Sequence, residues 1–264
     1  MDKPFRDQSV LIIGASLGIG RTLALQLADQ GAQLVLASRN LQKLEEVKTL
    51  CSERGSSVQV IPTDVTDRQA CQNLVKGALD ACSRLDMLVY SAGIGMRFNF
   101  EETQDVNILE QVMQVNFWGF VYCMHEALPY LKNTRGRVVS LSSLGGKFPT
   151  PHGTMYAASK HAMAGFCDTL RIELKDSGVS ITVVYPEWVE TGISSRAVDK
   201  IGNPVGTMIS QERGSMPVEK CAAKILQAAA VRKREVIWLH GRLGMWLYLI
   251  SPPAVDQVAI HTFS

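Results

Sequence analysis

Short apolar runs alternate with helix-periodic stretches along the whole chain, and no other feature constrains its fold as strongly. Val10-Leu11-Ile12-Ile13 is a continuous apolar run, as a strand covered on both faces requires. Glycines follow at 14, 18 and 20. Leu23, Ala24, Leu27 and Ala28 then fall at helical spacing, with a stop at Gly31. The pattern recurs. Strands are predicted over Gln33–Ala37, Val58–Ile61, Leu85–Tyr90, Gly136–Leu141, Val179–Tyr185 and Glu235–Leu239. Helices are predicted over Leu41–Glu53, from an Asp67 cap to Ser83, over Gln104–Leu131 and Thr154–Asp176, and from Pro217 to Val231. Such alternation predicts an α/β chain: a doubly wound parallel sheet of about seven strands with helices on both faces.

No linker or repeat interrupts the pattern, so residues 1–264 read as a single domain. The net charge is +2 without a basic block, which gives nucleic-acid binding no electrostatic support. Six cysteines form no C-x-x-C pair and no histidine pair has ligand spacing, so no metal site is expected and the thiols read as buried in a reducing compartment. MDKPFRDQSV lacks an apolar signal core, and no stretch approaches the roughly 20 apolar residues of a membrane span, so a cytoplasmic protein is expected. Residues 192–216 are aperiodic and rich in glycine and serine, which reads as a substrate lid or as an irregular loop.

Gly14-x-x-x-Gly18-x-Gly20 lies between a strand and a helix, the context of a Rossmann dinucleotide turn. Glycines let the backbone approach a pyrophosphate, and the helix N-terminus offers unpaired N–H groups. The second strand ends in Ser38-Arg39-Asn40 without a carboxylate to accept from a ribose 2′-hydroxyl. Arg39 there would pair with a 2′-phosphate, so NADP(H) is expected ahead of NAD(H). Asp64, beside Val65 after the third strand, reads either as an acceptor for the adenine amino group or as a turn residue.

Chemistry is concentrated between Ser143 and Lys160. Tyr156 and Lys160 form an i, i+4 pair on one helix face, which sets an ammonium beside a phenol and favours its ionised form. A phenol so placed serves as a general acid or base, and Ser143, from the end of a strand, would hold a carbonyl oxygen in front of it. Such a pair alone is common on solvated helices; its weight comes from the rest of the chain.

GASLGIG (14–20), Asp64-Val65, SAG (91–93), Asn116 in VNFWG, LSS (141–143), YAASK (156–160) and the proline of YPEWVET (185–191) occur together in order and spacing. The chain thereby resembles a classical short-chain dehydrogenase/reductase over essentially its full length, in the microsomal steroid-dehydrogenase-like and carbonyl reductase branch. The resemblance implies Tyr156 as acid/base, Lys160 as holder of the nicotinamide ribose that lowers the tyrosine pKa, Ser143 as orienter of the substrate oxygen, and Asn116 as a helix kink holding a proton-relay water. It also implies cofactor contacts from Gly14, Ser16, Gly18, Ile19, Gly20, Arg39, Asp64, Val65, from Ser91, Ala92 and Gly93, from Tyr156 and Lys160, and from Pro186, Val189 and Thr191. Departures from the pattern are Ile13 for threonine, Ser91 for asparagine, Leu17 for a basic residue, and Glu187 for the glycine after Pro186.

Hydride exchange between NADP(H) and a hydrophobic ketone or secondary alcohol (steroid, lipid or aromatic) follows as the expected activity, with Ser143 and Tyr156 touching substrate. The alternative is a regulator that binds the dinucleotide on the same fold without turnover. Met96, Phe98, Phe148, Met155, Trp188 and Ile193 flank the motifs as pocket candidates, or as ordinary core. The apolar segment 241–264 would close the pocket or pack on another subunit of a homodimer or homotetramer; a peripheral membrane contact is its second reading.

Overall fold

The computed structural model describes residues 3–207 and 215–263. Seven parallel strands form one sheet: β1 (Ser9–Ile13), β2 (Gln33–Ser38), β3 (Val58–Pro62), β4 (Met87–Tyr90), β5 (Arg137–Leu141), β6 (Ser180–Tyr185) and β7 (Glu235–Ile237). Their order is 3-2-1-4-5-6-7. The chain leaves β1 toward β2 and returns to its other side as β4, which opens a crevice beyond the carboxyl ends of β1 and β4.

All five residues of β1 are buried, so the strand needs apolar partners on both faces. Val10 and Ile12 face α1 (Gly18–Ala28), α2 (Leu41–Ser52) and α7 (Val218–Ala230), where Leu23, Leu27, Leu44 and Ile225 complete one core. Leu11 and Ile13 face α3 (Arg68–Cys82), α5 (Gly119–Thr134) and α6 (Thr154–Glu173), with Leu74, Phe120 and Met163 in the second core. The period of two in the strand thus sorts its side chains between two helical layers. Asn40 and Asp67 cap α2 and α3 by accepting from Lys43 N and Gln69 N. All six cysteines are free thiols, and five of them are buried.

Beyond shifts of one to three residues at other element ends, such as β4 starting at Met87 and α6 ending at Glu173, three elements differ from the sequence expectation. The stretch Gln104–Leu131 is not one regular helix: α4 (Val106–Met113) passes through a π-helical turn, Gln114–Trp118, into α5. The wide turn admits one extra residue, and Asn116 sits in it, wholly buried. Strand β7 stops at Ile237, two residues short of Leu239. The apolar C-terminal run forms two further helices, α8 (Leu239–Ile250) and α9 (Pro252–Phe263), broken where Pro252 begins the second.

Candidate active site

One cavity of about 1230 Å3 runs along the carboxyl edge of the sheet from Arg39 to the α8–α9 hairpin. Its nucleotide end is made of backbone. Gly14 has φ +86° and donates to Ala37 O at 2.8 Å, turning the chain sharply out of β1. Gly18 has φ +54° and lies against Thr191, so the turn meets the segment that follows β6. Leu17 precedes α1 in an extended conformation and no side chain caps the helix. Ser16, Gly18 and Ile19 line the cavity beside that open N-terminus. Gly20 stands behind the turn and does not line the cavity; a Cβ there would lie 2.2 Å from Gly14 O, so its role is close packing.

Ser91, Ala92 and Gly93 form the opposite wall. With Ile13 and Ser91 in place of the expected pair, β1 and β4 are joined by backbone: Ser91 N donates to Ile13 O at 2.8 Å, and Ile13 packs wholly buried in the core. Asp64 and Val65 also line the cavity. One oxygen of Asp64 accepts from Thr66 N and Oγ1 at 3.0 and 2.8 Å, so the aspartate shapes its own turn while facing the cleft. At the far edge Arg39 is exposed and Lys43 half-buried, and both line the cavity. The Ser38 hydroxyl between them and the sheet is buried without a hydrogen-bond partner.

Ser143, Tyr156 and Lys160 share the middle wall. Ser143 lies two residues beyond β5 and accepts from Gly145 N at 3.2 Å, which orients its hydroxyl at the head of a short 3₁₀ turn. Lys160 is buried and its ammonium donates to Leu141 O at 2.9 Å, 5.7 Å from the centre of the Tyr156 ring. Burial pushes the lysine down to about 8. Burial likewise raises the Tyr156 phenol above its ordinary value, while the Ser143 hydroxyl, donating to it, pulls it down. The expected lowering of the phenol by Lys160 is not among the causes; the Ser143 hydroxyl is the group that opposes desolvation.

Asn116 lies behind this wall. Its Oδ1 accepts from Ile94 N at 2.8 Å, and its Nδ2 donates to Ile94 O and to Ser159 Oγ at 3.0 Å each. Ser159 donates in turn to Tyr156 O at 2.7 Å. The π-helical turn therefore clamps the Gly93–Ile94 wall to the first turn of α6. Ser159 and Lys43 are contributors that sequence reasoning passed over, though the Asn40 cap three residues before Lys43 marks where α2 starts.

After β6, Pro186, Val189 and Thr191 line the cavity as a strap, with Leu144 N donating to Pro186 O at 3.3 Å. Glu187 points to the C-terminus: its Oε1 accepts from Gly241 N at 3.0 Å, and Oε2 lies 3.4 Å from His240 Nδ1. Met96, Phe148, Trp188 and Ile193 line the cavity; Phe98 and Met155 do not and pack around a small separate cluster. Within residues 192–216, Val198 bridges to Met96 and to Pro204, so this part of the expected lid is tied to the body. The remainder of that expectation, residues 208–214, lies outside the described residues. Among the described residues no helix is long and apolar enough to cross a membrane.

Comparison with known proteins supplies the family. The short chain dehydrogenase family model matches residues 8–202. A protein named 11-beta-hydroxysteroid dehydrogenase A from Sesamum indicum is 36% identical over 94% of this chain and 73% of its own length. A dehydrogenase/reductase SDR family protein 7-like from Dictyostelium discoideum is 33% identical over 100% of this chain and 84% of its own. Among solved structures, a short chain dehydrogenase/reductase from Burkholderia phymatum in complex with NAD superposes with a TM-score of 0.83 at 24% identity, covering 95% of this chain and 96% of that one. An alcohol dehydrogenase from Thermococcus sibiricus complexed with 5-hydroxy-NADP gives 0.76 at 25% identity, over 88% and 96%. With cleft, sheet order and sequence in agreement, the chain belongs to the short-chain dehydrogenase family, in its steroid-dehydrogenase-like branch, as an oxidoreductase acting on CH–OH groups.

Proposed function

We propose that the protein interconverts a hydrophobic ketone and its secondary alcohol with NADP(H), using Tyr156 as acid and base. The observation that carries the reading is the convergence of Ser143, Tyr156 and Lys160 on one wall of a cavity whose other end is a glycine turn at an uncapped helix. When bound, the dinucleotide supplies the hydride for reduction and accepts it for oxidation. Residues of this chain do the rest. In reduction Tyr156 gives its hydroxyl proton to the substrate oxygen, and Ser143 donates a hydrogen bond to that same oxygen as charge develops on it. Lys160, its ammonium 5.7 Å from the centre of the Tyr156 ring, would hold the nicotinamide ribose of the bound dinucleotide beside the phenol. Asn116 and Ser159 keep the α6 turn in register with the Gly93 wall.

The residues fit a dinucleotide. The α1 N-terminus and its glycines suit a pyrophosphate, with Ser91, Ala92 and Gly93 beside them and Pro186, Val189 and Thr191 at the nicotinamide end. For the 2′-position, two cations flank the α2 cap, an unpartnered buried hydroxyl sits at Ser38, and β2 ends without an acid. These favour NADP(H) over NAD(H). The apolar residues of the pocket wall, Met96, Phe148, Trp188 and Ile193, and the hydroxysteroid dehydrogenase name of the Sesamum protein support a steroid-like or other large apolar substrate.

Following NADPH absorbance with a panel of bulky apolar ketones tests the reading. Tyr156→Phe is expected to lower kcat by about 10²- to 10⁴-fold. Equal turnover by the variant would remove the mechanism, and cofactor binding without turnover on any carbonyl or alcohol would favour a regulator.

A further inference from the structure

Trp238 precedes α8 in an extended conformation, φ −79° and ψ 169°, and makes no side-chain capping bond. The N–H groups of the first turn therefore require acceptors from elsewhere in the chain. Glu187 provides one from 54 residues away, through the 3.0 Å bond from Gly241 N, with His240 Nδ1 3.4 Å from its second oxygen. Its carboxylate also meets the positive end of the helix. Of α8 only Gly241 is buried. Leu243, Trp246, Leu249 and Ile250 are exposed. Other attachments to the body include Gly241 against Leu144, Gly244 against the Phe148 ring, Phe148 edge-on to Tyr248 at 6.2 Å, and Met245 packed on the second core. Leu247, Val255, Val258 and Ala259 of this hairpin wall the cavity.

We infer that Glu187 is a positioning residue that latches the α8–α9 hairpin to the strap after β6 and thereby sets the far wall for the apolar body of the substrate. This rests on the oxidoreductase reading of the cleft and adds a specificity determinant to it. Where the family pattern has glycine, this chain has a side chain that reaches past the strap to the C-terminal helices. The strap touches the cofactor side and the hairpin touches the substrate side, so the latch joins the two. A substrate with a body long enough to rest on the hairpin feels its loss; a small ketone does not reach that wall.

Hydrogen exchange of the intact protein tests the latch directly. Glu187→Ala is expected to speed exchange across residues 239–250 by about tenfold, and Glu187→Gln by less than about threefold, because the amide oxygen still accepts from Gly241 N. In steady-state assays Glu187→Ala should raise KM for a bulky apolar ketone about tenfold with kcat within about threefold, Glu187→Gln should restore most of it, and the KM of acetone should move much less. Unchanged exchange in α8 would overturn the latch. An equal rise in KM for both ketones would also overturn it, since the effect would then come from the cofactor strap. If the wild type turned over neither ketone, the functional reading would fail, and the exchange data would still decide whether Glu187 holds the hairpin.

Discussion

At the nucleotide turn a Cβ on Gly14 would stand 2.4 Å from Ala92 N and one on Gly20 2.2 Å from Gly14 O, whereas at the C-terminal cap a Cβ on Gly244 would meet only the edge of the Phe148 ring, at 3.1 Å. The first set of neighbours is backbone, hydrogen-bonded into the sheet, and cannot give. The second is the far end of one side chain. The two ends of the same cavity therefore tolerate change differently. Backbone-built geometry resists substitution, and side-chain-built geometry admits it.

The largest effect expected from this contrast is at Gly20. Gly20→Ala drives a methyl into Gly14 O and close to Ser91 Oγ, so either β1 or α1 must move. A loss of about 3 kcal/mol in unfolding free energy is expected, at the upper end of overpacking costs, together with loss of NADPH binding. Urea denaturation and a fluorescence titration measure the two. A variant as stable as wild type with its affinity intact would erase the contrast from this side.

The same contrast explains what could be read from the chain. Val10–Ile13 followed by Gly14, Gly18 and Gly20 is local, and its apolar run and turn chemistry dictate structure without reference to distant residues. The sheet and its order follow from such units in series. The family resemblance implied a kink at Asn116, but its form as a π-helical turn was not legible, because Ile94 and Ser159, which hold it, lie 22 and 43 residues away. Helices α8 and α9 were not legible either: Leu239–Ile250 is apolar around much of its circumference, so no face stands out. Glu187 could be seen to depart from glycine, but its partner is 54 residues downstream.

Lys160, between the two ends, sharpens the comparison through pH. Burial lowers its folded pKa to about 8 from an ordinary 10.5. Between those values the unfolded chain binds more protons than the folded one, so the stability contributed by this group rises with pH through the window and is flat below it. The buried ammonium costs the cofactor-free fold on the order of 1–3 kcal/mol below pH 8, and that cost fades toward pH 10.5. Lys160→Met removes the titration. The difference in unfolding free energy, variant minus wild type, should therefore fall by that amount from pH 8 to 10.5. A constant difference would mean that the Leu141 carbonyl compensates the charge, and that the active-site wall carries no strain of its own.

The smallest effect is expected at Gly244. A glycine inside α8 costs about 1 kcal/mol relative to alanine in helix propensity, so Gly244→Ala gains there. The new methyl, 3.1 Å from Phe148 Cζ, pushes the ring a few tenths of an ångström. Phe148 is edge-on to Tyr248 and can follow the hairpin outward or turn toward the cavity it lines. Gain and crowding then nearly cancel, and the unfolding free energy should change by less than about 0.5 kcal/mol. Crowding of the pocket should still appear as a KM for the bulkiest ketone raised by about two- to fivefold, with a small ketone unaffected. Thermal melting and the two KM values check both halves. A loss of stability as large as that at Gly20 would mean that the cap is packed like the nucleotide turn, and the cavity would then have two rigid ends instead of one.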